Sequence, residues 1–209
     1  MRKIWNYGGL AAAVILIAFG VASIVMGANG RDTVRSNLSK ELVVGTPDMT
    51  PKAIAAEAKA AGLKGVSLPT KSVAGQTINT GAEARTFAQY MRIHALEATG
   101  GQTYAQMPRF ATADGKGTND EKAALKDPKT GRPVDNGARN VWVTETALST
   151  ALNTSFFAEN VALFSIVMGV ALLLTGVGFG VMAMGILPAG LRRRETAAAV
   201  ATKTAVAAS

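Results

Sequence analysis

The stretch NVALFSIVMGVALLLTGVGFGVMAMGILPAGLRRR, residues 160–194, decides the fold. It carries no charged side chain from Asn160 to Leu191 and is then closed by three arginines, Arg192, Arg193 and Arg194. A helix needs about 20 apolar residues to cross the hydrocarbon of a bilayer. Only a helix satisfies its own backbone hydrogen bonds in lipid. We therefore predict a transmembrane helix over residues 160–188, followed by a basic, disordered tail over 189–209.

A second apolar segment begins close to the start of the chain. After Arg2 and Lys3 the sequence is uncharged from Ile4 to Gly30. A cleavable signal peptide is the alternative interpretation, but its apolar region usually spans only about 7–15 residues. We therefore predict a short N-terminal segment, 1–7, and a retained transmembrane helix over 8–29.

Basic residues set the predicted orientation of both helices. Cytoplasmic ends of spans collect lysine and arginine, and here Arg2 and Lys3 precede the first helix while three arginines follow the second. Both termini are then cytoplasmic, and residues 30–159 form one extracytoplasmic domain. This central region has 16 Lys and Arg against 13 Asp and Glu, so much of the net charge of +8 lies at the ends. That distribution indicates topology and argues against nucleic-acid binding.

The central region is predicted to be mainly helical. Thr50 and Pro51 are typical of a helix start, and an alanine-rich run follows up to Gly62. Thr80 and Glu83 form a capping-box pattern ahead of apolar residues spaced by three and four. Residues 102–136 show little periodicity and are predicted to be a long loop. A last helix is expected to continue without a break into the second span. The predicted fold class is therefore all-α, with two transmembrane helices around a helical domain.

Small residues in the two apolar segments are candidates for helix packing. They are Ser23, Gly27, Gly169, Gly176 and Gly180, and small residues let helices approach closely in lipid. The alternative is that glycine and alanine are simply common in such segments. We predict that the two spans pack on each other or on a partner.

A second group of candidates lies on the capped helix. His94 is the only histidine, and Tyr90 and Glu97 lie four residues before it and three after it, so all three could share a face. Catalytic or pH-sensing use is one interpretation. A hydrogen-bonded surface histidine is the other, because general acid–base catalysis also requires a pocket.

Two stretches resemble a group of actinobacterial two-span membrane proteins that includes chains named aromatic ring-opening dioxygenase. They are TGAEARTFAQYMRIHALEATGGQTYAQM from Thr80 and VWVTETALSTALNTSFFAENVALFSIVMG from Val141. The resemblance implies two spans and an envelope setting. Non-haem iron oxygenases typically bind the metal through two histidines and a carboxylate, whereas this chain has one histidine and no cysteine. We therefore predict no dioxygenase activity, no cofactor and no metal site.

The sequence favours a non-enzymatic integral membrane protein. Its extracytoplasmic domain is expected to serve as an interaction, accessory or assembly module of a cell-envelope complex. The expected partners are the lipid bilayer together with a membrane or envelope protein or further copies of the chain. A sensor or carrier of a small ligand is the alternative, and an enzyme that uses His94 is the least favoured interpretation.

Overall fold

A computed structural model describes the backbone of residues 2–185 and the side chains from Tyr7 to Gly185. Within that range the chain forms four helices: α1 (Arg2–Lys40), α2 (Pro51–Ala60), α3 (Gly81–Ala98) and α4 (Gly137–Ala183). No regular strand occurs in the described residues, where β pairing is limited to isolated bridges. The all-helical prediction and the two long apolar helices are confirmed.

The described residues fall into two compact units. The terminal unit contains the chain up to Gly30 and the chain from Val161 onward. The central unit contains Arg31–Asn160. Each of the two long helices has residues in both units, since α1 runs from Arg2 to Lys40 and α4 from Gly137 to Ala183.

Both helices of the terminal unit are long and apolar enough to cross a membrane. Their most apolar windows have mean hydropathies of 2.5 and 2.3, and only 11% and 17% of these windows are buried. The core helix of a soluble protein would be mostly buried. The low burial therefore leaves most of this apolar surface uncovered by the chain itself.

The two helices of the terminal unit meet along small residues that recur every seven positions. We call these rows the seven-residue ladders. The α1 ladder contains Ala13, Gly20 and Gly27, and the α4 ladder contains Ala162, Gly169 and Gly176. A Cβ added at Gly20 would lie 2.8 Å from the Gly169 carbonyl oxygen, and one added at Gly169 would lie 2.7 Å from the Gly20 carbonyl oxygen. When two helices coil gently around each other, residues that recur every seven positions stay on the side of each helix that faces the other. We call this line of contact the seam.

The central unit begins with two capped helices. The Thr50 side chain accepts a hydrogen bond from the Ala53 backbone N–H at the start of α2. Thr80 and Glu83 form the complete capping box at the start of α3. After α2, Gly62 takes the left-handed conformation, with φ +66°, which glycine adopts without steric cost. These sequence signals therefore fix where α2 and α3 start and where α2 stops.

The core of the central unit is built from α2, α3 and the segments between helices. Its largest fully buried side chains are Tyr90, Ile54, Ile78, Ile93 and Val73. The segment before α2 pairs with the segment before α3, since Gly45 donates to Gln76 O at 2.9 Å and Ile78 donates to Val43 O at 2.9 Å. This pairing brings residues 43–49 against the core.

Residues 102–136 form an extended connection held by its own backbone hydrogen bonds. Phe110 and Thr118 exchange two bonds of 2.9 Å, and Ala111 N donates to Val134 O at 2.9 Å. Met107, Phe110 and Ala124 are buried. The connection ends at Asn136, whose side chain accepts from Ala138 N at the start of α4.

Several predictions concern residues outside those the structure describes. The tail 189–209, including Arg192, Arg193 and Arg194, lies beyond the described range. The backbones of Arg2 and Lys3 are helical, but their side chains are outside it as well.

Candidate functional site

A group of titratable side chains gathers where α2, α3 and the turn before α2 meet. Asp48 lies in that turn, two residues ahead of the Thr50 cap, and Glu57 lies on α2. His94 and Glu97 lie on α3, one turn apart. We call these four residues the His94 cluster. The N-caps of α2 and α3 fix where the helices that carry Glu57, His94 and Glu97 begin.

Both ring nitrogens of His94 face a carboxylate. Nδ1 lies 2.7 Å from Glu57 Oε1, and Nε2 lies 3.3 Å from Asp48 Oδ2. The His94 side chain is 26% exposed, so water reaches it. A protonated imidazole donates through both nitrogens, whereas a neutral ring donates through one nitrogen only. Of the two contacts, that between Nδ1 and Glu57 is the hydrogen bond, and it forms when Nδ1 carries a proton.

The carboxyl groups of the cluster differ in how easily they ionise. A hydrogen bond from the Thr46 side chain is the main reason why the pKa of Asp48 lies below its ordinary value. By contrast, the pKa of Glu97 is raised, first by its hydrogen bond with the Glu57 carboxyl and then by repulsion from its charge. Asp48 therefore ionises more readily than a free carboxyl group, and Glu97 ionises less readily.

Tyr90 takes no part in the cluster, although helix spacing would allow it. Its side chain is fully buried in the core, and its hydroxyl donates to the Lys71 carbonyl oxygen at 2.8 Å. Burial raises the pKa of this phenol. Of the three residues proposed from the sequence, His94 and Glu97 lie together and Tyr90 does not join them.

Sequence reasoning missed two members of the cluster, Asp48 and Glu57. Glu57 is 37 residues from His94 along the chain, and neither carboxylate belongs to a recognisable motif. Only the packing of α2 on α3 brings them to the imidazole. One ligand atom from each of Asp48, Glu57 and His94 can be chosen so that all three lie within 4.8 Å of one another, a spacing compatible with a shared metal ion.

A shallow groove lies beside His94, between α3 and the first turns of α4. Its volume is about 520 Å³. The lining residues are Met91, His94, Ala95, Ala98, Asn140, Val141, Thr144 and Glu145. Most of this surface is apolar, and His94 and Glu145 supply its ionisable groups. His94 therefore lines an open, shallow groove.

Two buried glutamates join α4 to the rest of the central unit. Glu145 is only 3% exposed. It accepts from Ser149 Oγ at 2.5 Å and pairs with Arg92 Nη1 at 2.9 Å. The Arg92 guanidinium also lies over the Trp142 ring, 4.5 Å from its centroid. Because a buried carboxylate is costly unless paired, Glu145 fixes the register of α4 against α3.

The second glutamate, Glu159, lies 14 residues further along α4. Its Oε1 accepts from Arg31 Nε at 3.0 Å and from Arg35 Nε at 2.8 Å. Its Oε2 accepts from the backbone N–H of Gly81 at 2.6 Å. Burial opposes ionisation, but these three donors outweigh it and hold the pKa of Glu159 below its ordinary value. Glu159 therefore links α1, the start of α3 and α4.

The helix-packing candidates occupy different positions in the terminal unit. Three of them, Gly27, Gly169 and Gly176, lie where α1 and α4 are closest. A Cβ at Gly27 would lie 2.5 Å from the Ala162 carbonyl oxygen, and one at Gly176 would lie 3.0 Å from the Ala13 carbonyl oxygen. A Cβ at Gly180 would make an ordinary contact of 3.7 Å with Ala13 Cβ. Ser23 is half-buried. Sequence reasoning missed Gly20, because its close approach to Gly169 depends on how the two helices lie side by side.

No family model matches the chain, and no curated protein or solved structure matches it. Its function has to be inferred from its own residues.

Proposed function

We propose that this chain is a non-enzymatic integral membrane protein whose extracytoplasmic domain is an interaction or assembly module of a cell-envelope complex. In this proposal both long helices cross the bilayer, both termini are cytoplasmic and residues 30–159 lie outside. Two observations support the membrane assignment. The apolar windows are almost uncovered by the chain, and basic residues stand at Arg2, Lys3 and 192–194, as the positive-inside rule requires. The actinobacterial envelope setting implied by the resemblance belongs to the same proposal.

The observation that carries the interaction role is the absence of charge on one exposed surface of α4. Between Asn140 and Asn160 the only charged residues are Glu145 and Glu159, and both are buried. The exposed positions along about five turns are therefore all uncharged, and we call them the uncharged face. They are Asn140, Val141, Val143, Thr144, Thr146, Ala147, Leu148, Thr150, Ala151, Asn153, Thr154, Phe157 and Asn160.

A helix that faces water normally shows charged side chains on its exposed side. Here Val143 and Phe157 are more than half exposed, and small Ala147 and Ala151 lie between them. Small and apolar side chains without charge suit close packing against another protein helix. The uncharged face therefore favours a protein partner over bulk solvent.

The experiment compares the full-length protein with two variants after purification in mild detergent. The doubly substituted protein Ala147→Arg with Ala151→Arg places two charges in the middle of the uncharged face. In the control, Ala105→Arg places a charge at an exposed position in the 102–136 connection. We expect the wild type and the control to elute as a complex with a defined stoichiometry, either with a co-purifying envelope protein or as an oligomer.

The double variant should lose the complex while keeping its helix content. A wild type that is a monomer without any co-purifying protein would refute the proposal. So would a complex that survives both arginines.

A sensor or carrier of a small ligand is the second candidate, and the groove beside His94 favours it. A volume of about 520 Å³ lies within the range of small-molecule sites. Thermal-shift screening of the full chain tests this role. A ligand that raises the unfolding temperature of the wild type and of Ala105→Trp, but not of Ala98→Trp, would support it, because Ala98 lines the groove.

The enzyme interpretation is the weakest of the three. His94 lines a groove and contacts Glu57, but the Tyr90 hydroxyl is committed to the Lys71 carbonyl. The proposed trio therefore lacks one of its members.

A further inference from the structure

We propose that Asp48, Glu57 and His94 form a binding site for a divalent transition-metal cation of the Zn²⁺ type. The site would give the central unit a cation-dependent property in addition to the interaction role. It consists of one imidazole and two carboxylates from three different parts of the fold: the turn before α2, α2 itself and α3.

The first argument is geometric. A ligand atom from each of the three residues can be chosen so that the three atoms lie within 4.8 Å of one another. Nitrogen and oxygen ligands bind Zn²⁺ at about 2.0–2.2 Å. Glu57 and Asp48 now face different ring nitrogens, so a bound ion would draw both carboxylates toward one of them. Imidazole and carboxylate groups together suit Zn²⁺, whereas Mg²⁺ prefers ligand sets made of oxygen alone.

The second argument is the local balance of charge. Three carboxyl groups, those of Asp48, Glu57 and Glu97, lie around one imidazole. Among the described residues, no lysine or arginine forms an ion pair with any of the three. The two buried carboxylates of the central unit both have such a partner, Arg92 for Glu145 and Arg31 with Arg35 for Glu159. A bound dication would supply the missing positive charge.

The third argument is access. The Asp48 side chain is 47% exposed, and His94 also lines the open groove. An ion can therefore reach the ligands from water, and positions around it remain open to water or to a small anionic ligand.

The single histidine makes a direct test possible. The full-length protein is labelled with ¹⁵N-histidine, purified in detergent through a tag that contains no histidine, and stripped with a chelator. Its imidazole then gives the only labelled ring signals. We expect one equivalent of Zn²⁺ to shift the resonance of one ring nitrogen, and the same concentration of Mg²⁺ to leave it unchanged.

Equilibrium dialysis with Zn²⁺ provides the second measurement. We expect one tightly bound ion per chain, and affinity at least about tenfold weaker in Glu57→Gln and His94→Ala, since even outer-shell substitutions weaken metal binding about 10–100-fold. The matched controls Asp114→Asn and Glu121→Gln remove exposed carboxylates outside the cluster and should bind as the wild type does. Circular dichroism shows whether each variant is folded.

Three results would overturn the proposal. They are unchanged imidazole resonances at excess Zn²⁺, equal Zn²⁺ affinity in wild type and His94→Ala, and an equal response to Mg²⁺, which would indicate charge screening alone. In each of these cases His94 serves as a bridge between two carboxylates without a metal. None of them bears on the uncharged face, so the proposed interaction role is tested separately.

Discussion

Glu159 accepts a hydrogen bond from the backbone N–H of Gly81 at 2.6 Å across 78 residues of sequence. The donor is the first residue of α3, where the first turn has free N–H groups and a partial positive charge. The acceptor is a buried carboxylate that also binds Arg31 and Arg35. This contact joins Glu159, near the last residue of the central unit, to the start of α3.

Replacing Gly81 by alanine should destabilise the protein. A Cβ there would lie 2.8 Å from Phe156 Cα and 3.0 Å from Glu159 Oε2, and overpacking of this kind costs about 1–3 kcal/mol. Thermal unfolding followed by circular dichroism in detergent measures the effect. Gly137→Ala is the matched control, since no atom lies within 4 Å of its added Cβ. Equal unfolding temperatures for the two variants would contradict the predicted contact.

Glu159→Gln should destabilise the protein at neutral pH and much less in acid. The folded-state pKa of Glu159 lies below its ordinary value, so its stabilisation is present above the unfolded pKa and is lost as pH falls through the folded pKa. We expect a cost of about 1–3 kcal/mol near pH 7, below the range for a fully buried pair because the arginines are partly exposed.

The unfolding temperatures of wild type and Glu159→Gln should therefore converge as the pH falls below the ordinary glutamate pKa of about 4.3, because the lowered pKa of Glu159 delays its protonation until below that value. Glu121→Gln, at an exposed position, serves as the control and should follow the wild type at every pH. A constant gap between wild type and Glu159→Gln across this range would show that the charge of Glu159 is not what stabilises the fold.

Removing Arg92 should cost more than removing Arg85. Arg92→Ala leaves Glu145, only 3% exposed, without its ion pair. Because Arg92 itself is partly exposed, we expect a cost of about 1–3 kcal/mol, below the range for a fully buried pair. Arg85 lies over the Phe156 ring, 4.7 Å from its centroid, a contact worth about 0.5–1 kcal/mol at an exposed site. Chemical unfolding of both variants measures the difference, and a larger loss for Arg85→Ala would be inconsistent with the role of Glu145.

The helix pairing of the terminal unit can be tested by an engineered disulfide. The chain contains no cysteine, and a Cβ at position 180 would lie 3.7 Å from Ala13 Cβ, within the usual disulfide range of about 3.5–4.5 Å. Ala13→Cys with Gly180→Cys should form an intramolecular bond in membranes, seen as a mobility shift that reductant reverses. Ala13→Cys with Gly178→Cys should not, since no atom lies within 4 Å of a Cβ at 178.

The proposed topology predicts opposite labelling of two single-cysteine variants in intact cells. A membrane-impermeant maleimide should modify Ala105→Cys, in the proposed extracytoplasmic domain, without lysis. Ser209→Cys, in the proposed cytoplasmic tail, should react only after lysis. The reverse pattern would place the central unit in the cytosol and refute the orientation.

The sequence predicts what is encoded locally. Thr80 and Glu83 lie three residues apart, so the sequence alone predicts their capping box. The structure contains it. Gly62 marks the stop after α2 in the same way. Charge-free length alone identifies the two apolar helices, because crossing a bilayer depends on length and composition.

Contacts between distant segments could not be predicted. Helix spacing places Tyr90 near His94, but the large phenol ring packs into the core and its place beside the imidazole is taken by Glu57 and Asp48. Nothing near either carboxylate in sequence signals that pairing, which depends on how α2 packs against α3. For the same reason the contact between Gly20 and Gly169 appears only once the two helices are placed side by side.

The seven-residue ladders restrict how the apolar segments can change during evolution. Deleting or inserting one residue between Ala13 and Gly27 would turn everything beyond it by about 100° around the helix axis and bring a bulky side chain onto the seam. Descendants of this gene should therefore tolerate exchanges among apolar residues away from the seam far more readily than any change in spacing along it.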